Sequence, residues 1–265
     1  MGDERVPMRE PLKIIYAAID GGLDYRREAR TEQPTRLDHF LTTVDAVKAT
    51  RKEPDLLVFP AGYFQFLTEN DLHSFAADVA GRLANVRASF GVVWGMDVDD
   101  EKQRSKTGQQ FDQEHPFFVS YRGAAGEFVT LQQVSLTVEE GKSAHIDAKW
   151  RNRSPLLPGT QIALLICGEC LSQNLLERVE EAGSRALVVA AHQSVKMHTD
   201  PSGWGKLSWH IPLDAFSRSS GIPTVLSEHT RSPDRHPHAW PAEISEPLAV
   251  QGVPSAVTLR LATVP

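Results

Sequence analysis

The chain has few of the features that would assign it quickly. It has two cysteines in 265 residues, too few for a disulfide framework, and a reducing cytoplasm is the plain expectation. It has no apolar run of membrane-spanning length, so no membrane partner is expected. It has no basic excess: 34 acidic residues face 28 basic ones, for a formal net charge of −6. A nucleic-acid binder normally carries the opposite balance. There is no Gly- or Ser-rich linker and no internal repeat, so residues 1–265 read as a single domain. The start, Met1-Gly2-Asp3-Glu4-Arg5, is polar and acidic and does not resemble a secretory signal. His-x-x-x-His spacing and a second Cys-x-x-Cys pair are both missing, which argues against a zinc site. No cofactor is implied.

What is present is a series of apolar runs alternating with helical patterns. Hydrophobic residues make up 41% of the chain, enough for a sizeable core. Runs at 12–19, 55–60, 90–95, 117–121, 128–138, 161–166, 186–191, 221–227 and 257–264 read as strands. Leu37, Phe40, Leu41, Val44 and Val47 form one amphipathic stripe, with Thr35 as its expected cap. Leu72, Phe75, Val79, Leu83 and Val86 form a second, with Asn70 as its cap. Leu175, Leu176 and Val179 form a third. Leu207, Ile211, Leu213 and Phe216 suggest a fourth helix, with a break expected at Pro212. Segments 97–115, 139–160 and 228–247 read as irregular. Alternation of this kind predicts an α/β fold with helices over the β layers.

The most informative stretch is Gln161 to Cys170. An apolar run ends at Cys167, and Gly168 and Glu169 follow. Such a run reads as a buried strand. A cysteine at its carboxyl end, ahead of a helix, stands where α/β proteins place ligands and where a helix dipole lowers a thiol pKa. Cys167 is the candidate nucleophile; the alternative is a buried apolar filler. Glu169 is either a base or an acceptor for backbone amides at the helix start. Cys167 and Cys170 also form a Cys-x-x-Cys pair, open to a redox reading. His192, at the end of the next strand, is the histidine expected to face a pocket, against the plainer reading of a satisfied histidine.

Three segments together resemble the nitrilase, or carbon–nitrogen hydrolase, superfamily. Asp55 to Phe64 looks like its strand ending in Pro-Glu. Leu165 to Glu169 looks like its strand ending in the cysteine nucleophile. Ala186–Ala191 followed by Trp204–Ser227 looks like the strand, helix and return strand beyond it. The resemblance implies a four-layer α-β-β-α sandwich, assembly as a homodimer, and hydrolysis of small amides, nitriles or carbamoyl groups through a cysteine thioester. It assigns the nucleophile to Cys167 and the acid two residues on to Glu169.

Two departures stand out. The Pro-Glu position is Pro60-Ala61, so the general base is missing. No lysine occurs from Thr107 to Gly141; the oxyanion lysine position falls near Gln132 or Gln133, or else at Tyr121-Arg122-Gly123, and either way the lysine is gone. Glu139 or Glu140 matches the auxiliary glutamate, and Tyr63 and His192 are expected near the pocket. Losing a general base costs about 100- to 10,000-fold in rate. Losing a charged oxyanion partner costs about 100- to 1,000-fold. The sequence therefore predicts a degenerate or very weak hydrolase that binds a small-molecule ligand. The alternative is an atypical thiol amidase or acyl hydrolase in which Glu169, Glu139, Glu140 or His192 replaces the base.

Overall fold

The computed structural model describes residues 10–20, 33–98, 117–134, 153–191, 210–230 and 238–265. Among them, β1 (Leu12–Asp20) is central. It pairs antiparallel with β12 (Val257–Val264) and parallel with β2 (Leu56–Val58). Outward from β2 follow β4 (Gly91–Val98), β5 (Phe117–Arg122) and β6 (Phe128–Gln132). β3 (Phe64–Phe66) pairs with β4, and β11 (Ser245–Leu248) with β12. The second half is parallel: β7 (Ile162–Ile166), β8 (Ala186–Ala190) and β9 (Thr224–Thr230), with β10 (Ala239–Trp240) antiparallel on β9. The halves join where Ala18–Asp20 of β1 meet Glu228–Thr230 of β9.

Side-chain alternation along β1 and β2 separates two cores. Ile15, Ala17, Ile19, Leu57 and Phe59 face α1 (Gln33–Lys48) and α2 (Glu69–Val86), against Phe40, Val44, Leu72, Val79 and Leu83. Ile14, Tyr16, Leu56 and Val58 face the other way, into one cluster with β7, β8 and β9. Leu175, Leu176 and Val179 of α3 (Gln173–Glu181) and Leu213 and Phe216 of α4 (His210–Ser220) complete that cluster. The order helix, sheet, sheet, helix is the expected four-layer α-β-β-α sandwich.

The structure corrects several local expectations. α2 is capped by Thr68, whose hydroxyl accepts from the Asp71 amide at 3.1 Å; Asn70 lies inside the first turn. Thr35 lies within α1, which starts at Gln33. Pro212 does not break α4, because it occupies the helix's first turn, where no amide is needed. The strand begun at Phe128 ends at Gln132. Segment 228–247 is not wholly irregular: β9 runs to Thr230, and β10 and β11 follow. Polar residues in a strand that is buried on both sides hid it from the hydrophobic pattern.

Candidate active site

The site is built around the end of β7. Five consecutive buried residues, Ile162 to Ile166, bring the chain to the edge of the second half-sheet. Cys167 then turns it with φ 47°, a left-handed conformation that L residues other than glycine avoid. A 3-10 turn, Cys167–Leu171, leads into α3. Cys167 keeps 7% exposure and Cys170 none. The thiol of Cys170 is pushed well above its ordinary range by burial, with Cys167 and Glu169 adding to the effect.

Glu169 holds this elbow closed. One carboxylate oxygen accepts from the Ile166 amide at 2.8 Å. The other accepts from the Val134 amide at 2.7 Å and from the Arg153 guanidinium. Arg153 also donates to the carbonyls of Gln132 at 3.3 Å and Leu164 at 3.1 Å. Glu169 is fully buried, and Arg153 is nearly so. The reading of Glu169 as a base is thus corrected. Both oxygens are committed to donors, so it acts as the structural acceptor that ties β6, β7 and the elbow together.

Position 61 is built differently. Ala61 is fully buried in the same cluster as Cys167. Its carbonyl accepts from His229 Nε2 at 3.2 Å. On the neighbouring strand Gly95 is pressed against it. A Cβ built on Gly95 would lie 2.2 Å from the Ala61 Cα and 2.3 Å from the Pro60 oxygen. Only glycine permits so close an approach of two backbones. Gln133 is buried just past β6, its amide donating to the Phe117 carbonyl at 2.8 Å. It precedes Val134, which binds Glu169, so the chain places it beside the elbow.

Tyr63 is the second correction. It is buried on the helix side of the sheet. Its ring packs in the α1–α2 core between Phe59 and Phe64, and its hydroxyl donates to the Arg36 carbonyl at 3.2 Å. Arg36 returns a bond to the Tyr63 carbonyl at 2.9 Å. Burial raises its phenol pKa. Glu139, Glu140 and His192 lie outside the described residues.

The sequence pattern missed four buried polar residues on and beside β9. His229 faces Ala61 and stacks at 6.4 Å on Tyr63. Ser227 donates to the Ala17 carbonyl at 2.7 Å and to that of Val58 at 3.3 Å, where the two half-sheets meet. On the opposite side of β9, Glu228 lies 3.3 Å from His238 Nδ1, both fully buried. Burial pushes the Glu228 carboxyl up to about 8. The available signal was Glu228-His229, an ionisable pair directly following the run 221–227. Among the described residues, no group of three or more His, Cys, Asp or Glu is placed to hold a metal ion. Nor is any described helix long and apolar enough to cross a membrane.

No family model and no curated protein sequence matches the chain. Solved structures of the amidase from Nesterenkonia sp. AN1 do. A double mutant of that enzyme, with its glutamate changed to glutamine and its cysteine to alanine, binds acrylamide; it is 16% identical, with a TM-score of 0.56 over 98% of this chain and 93% of that one. A cysteine-to-serine mutant, an amidase of the nitrilase superfamily, is 14% identical, with a TM-score of 0.54 over 98% and 94% of the two chains. A glutamate-to-glutamine mutant carries the acetamide moiety of fluoroacetamide covalently on its active-site cysteine; it is 14% identical, with a TM-score of 0.53 over 98% and 93%. The fold is therefore that of nitrilase-superfamily amidases, over nearly the whole chain.

Proposed function

We propose that this chain is a degenerate amidase-fold protein that binds a small amide or acyl compound beside Cys167 and hydrolyses ordinary amides very weakly or not at all. The supporting observation is position 61. A buried methyl group stands where the resemblance calls for a carboxylate, and the backbone there is committed to His229 and Gly95. No position that the resemblance offers for the lysine carries one: Gln132, Gln133 and Tyr121-Arg122-Gly123 all lack an ammonium group. Glu169 cannot compensate while its oxygens hold Val134, Ile166 and Arg153. A thiol of ordinary acidity is only a few per cent thiolate at neutral pH, so attack on an unactivated amide is slow without a base. The likeness to an amidase with a small amide fragment on its cysteine suggests the ligand class.

A second reading, an atypical thiol hydrolase, draws on the left-handed backbone at Cys167. Strain at a non-glycine residue is found where the surrounding structure enforces it, often at reactive sites. In that case Cys167 reacts with activated acyl substrates. We place the protein as a cytoplasmic homodimer, which sedimentation tests directly.

The deciding experiment measures ammonia release from acetamide and propionamide. Wild type is expected to give none above background, and Ala61→Glu with Gln133→Lys is expected to gain turnover. Wild-type turnover in the ordinary enzyme range, about 1 s⁻¹ or faster, would overturn the proposal. Iodoacetamide labelling of wild type across pH serves as a control that needs no variant. A Cys167 pKa well below that of free cysteine supports the second reading.

A further inference from the structure

The elbow carries two sulfurs, and the proposal above uses one. Cys167 and Cys170 are both free thiols in a single 3-10 turn. Residues three apart across such a turn have Cα atoms less than about 7 Å apart. A disulfide needs a Cα separation of roughly 4.4–6.8 Å. The residue after Cys167 is Gly168, which puts no side chain in the way. Glu169 is held away by Val134, Ile166 and Arg153. The proximity is also electrostatic, since charge at Cys167 is felt at Cys170.

The two thiols are not equivalent. Cys167 retains a sliver of exposure and Cys170 none. Burial and its two neighbours keep Cys170 protonated. A small oxidant therefore meets Cys167 first, as the thiolate is the species that reacts.

We propose that Cys167 and Cys170 form a hydroperoxide-responsive pair, in which Cys167 is oxidised and Cys170 closes a reversible disulfide across the elbow. The Cys167 thiolate attacks the hydroperoxide oxygen and the O–O bond breaks. This gives the Cys167 sulfenic acid and a hydroxide or alkoxide, which takes up a proton from solvent. The Cys170 sulfur then attacks the Cys167 sulfur, and the S–O bond breaks. The departing hydroxyl leaves as water with the Cys170 thiol proton. Two electrons pass from the thiol pair to the peroxide, and an external dithiol restores both thiols. The disulfide masks Cys167 and keeps it from overoxidation. The pairing does not depend on whether any amide is bound or cleaved.

The test exposes the full chain to equimolar hydrogen peroxide, alkylates the remaining thiols, digests without reductant and weighs the peptide spanning both residues. Wild type should lose two hydrogens in that peptide and regain them with dithiothreitol. With dimedone present, Cys170→Ser should give an adduct at Cys167; without dimedone and with excess peroxide it should accumulate sulfinic acid there, whereas wild type under the same excess should stop at the disulfide. Cys167→Ser should leave Cys170 a free thiol. Wild type that runs to sulfinic acid at Cys167 while Cys170 still alkylates overturns the proposal. So does Cys170 oxidation that proceeds equally fast without Cys167.

Discussion

Two strand ends in this molecule face the same buried cluster and have been treated in opposite ways. β7 ends in a polar frame: Glu169 gathers two backbone amides and a guanidinium, and Cys167 is bent into a left-handed conformation above it. β2 ends in a packed turn: Ala61 offers a methyl group, and its backbone is occupied by Gly95 and His229. The frame at β7 joins β6, β7 and the elbow, so removing it would loosen the fold whatever the chemistry. A carboxylate at the end of β2 would have no such structural duty. A group whose neighbours are built into the sheet junction cannot be removed without a cost to folding.

The comparison breaks most visibly at the ion pair. Removing one partner of a buried pair costs about 3–5 kcal/mol, because the other is left charged and dry. Arg153→Ala and Glu169→Ala should each lower stability by that order in urea unfolding. Arg153→Met with Glu169→Leu should recover part of it. Single variants as stable as wild type would show that the frame is not what retains the elbow.

The next largest effect lies at Glu228 and depends on pH. Its carboxyl is raised from 4.5 to about 8 by burial. Below the lower value both folded and unfolded states hold the proton. Between the two values the unfolded chain has lost it and the folded chain has not, so stability falls as pH rises and levels off above the upper value. A shift of this size corresponds to a few kcal/mol. Glu228→Gln should flatten the profile and raise stability on the alkaline side. A wild-type profile that is already flat would mean that the carboxylate is ionised and paired with a His238 imidazolium, 3.3 Å away.

Much of this was legible in the sequence, and the failures share a cause. The apolar run from Ile162 to Ile166 and the stripes of α1, α2 and α3 follow directly from burial, so the layers and Cys167 could be read. Residues whose role is to hold other residues were harder. Glu169 and Arg153 are 16 positions apart in sequence and meet only through the fold. Glu228 and His229 look like loop residues, because strands are recognised by apolar side chains. Tyr63 was misplaced because a residue just past Pro60-Ala61 can face either layer. The turn at Ala61-Gly62, with Gly62 at φ 67°, sends both Tyr63 and Phe64 to the helices.

Gly95 sharpens the contrast at β2. Gly95→Ala forces a methyl into the Pro60-Ala61 backbone, and overpacking of this kind costs about 1–3 kcal/mol. Thermal unfolding of the variant measures it. An unchanged midpoint would mean that the turn at Ala61 has room to move.

The smallest effect isolates the strain at β7. Cys167→Ala and Cys167→Gly both delete the sulfur, so any difference between them reports chiefly on the backbone. A left-handed conformation costs an L residue about 1–2 kcal/mol, while glycine adopts it freely but loses more entropy on folding, roughly 0.5–1 kcal/mol. Cys167→Gly should therefore be the more stable of the two by somewhat under 1 kcal/mol in equilibrium urea unfolding. If the alanine variant is the more stable, the turn relaxes once the thiol is gone. The sulfur's own packing, and not the frame built by Glu169, then holds the elbow in its left-handed shape.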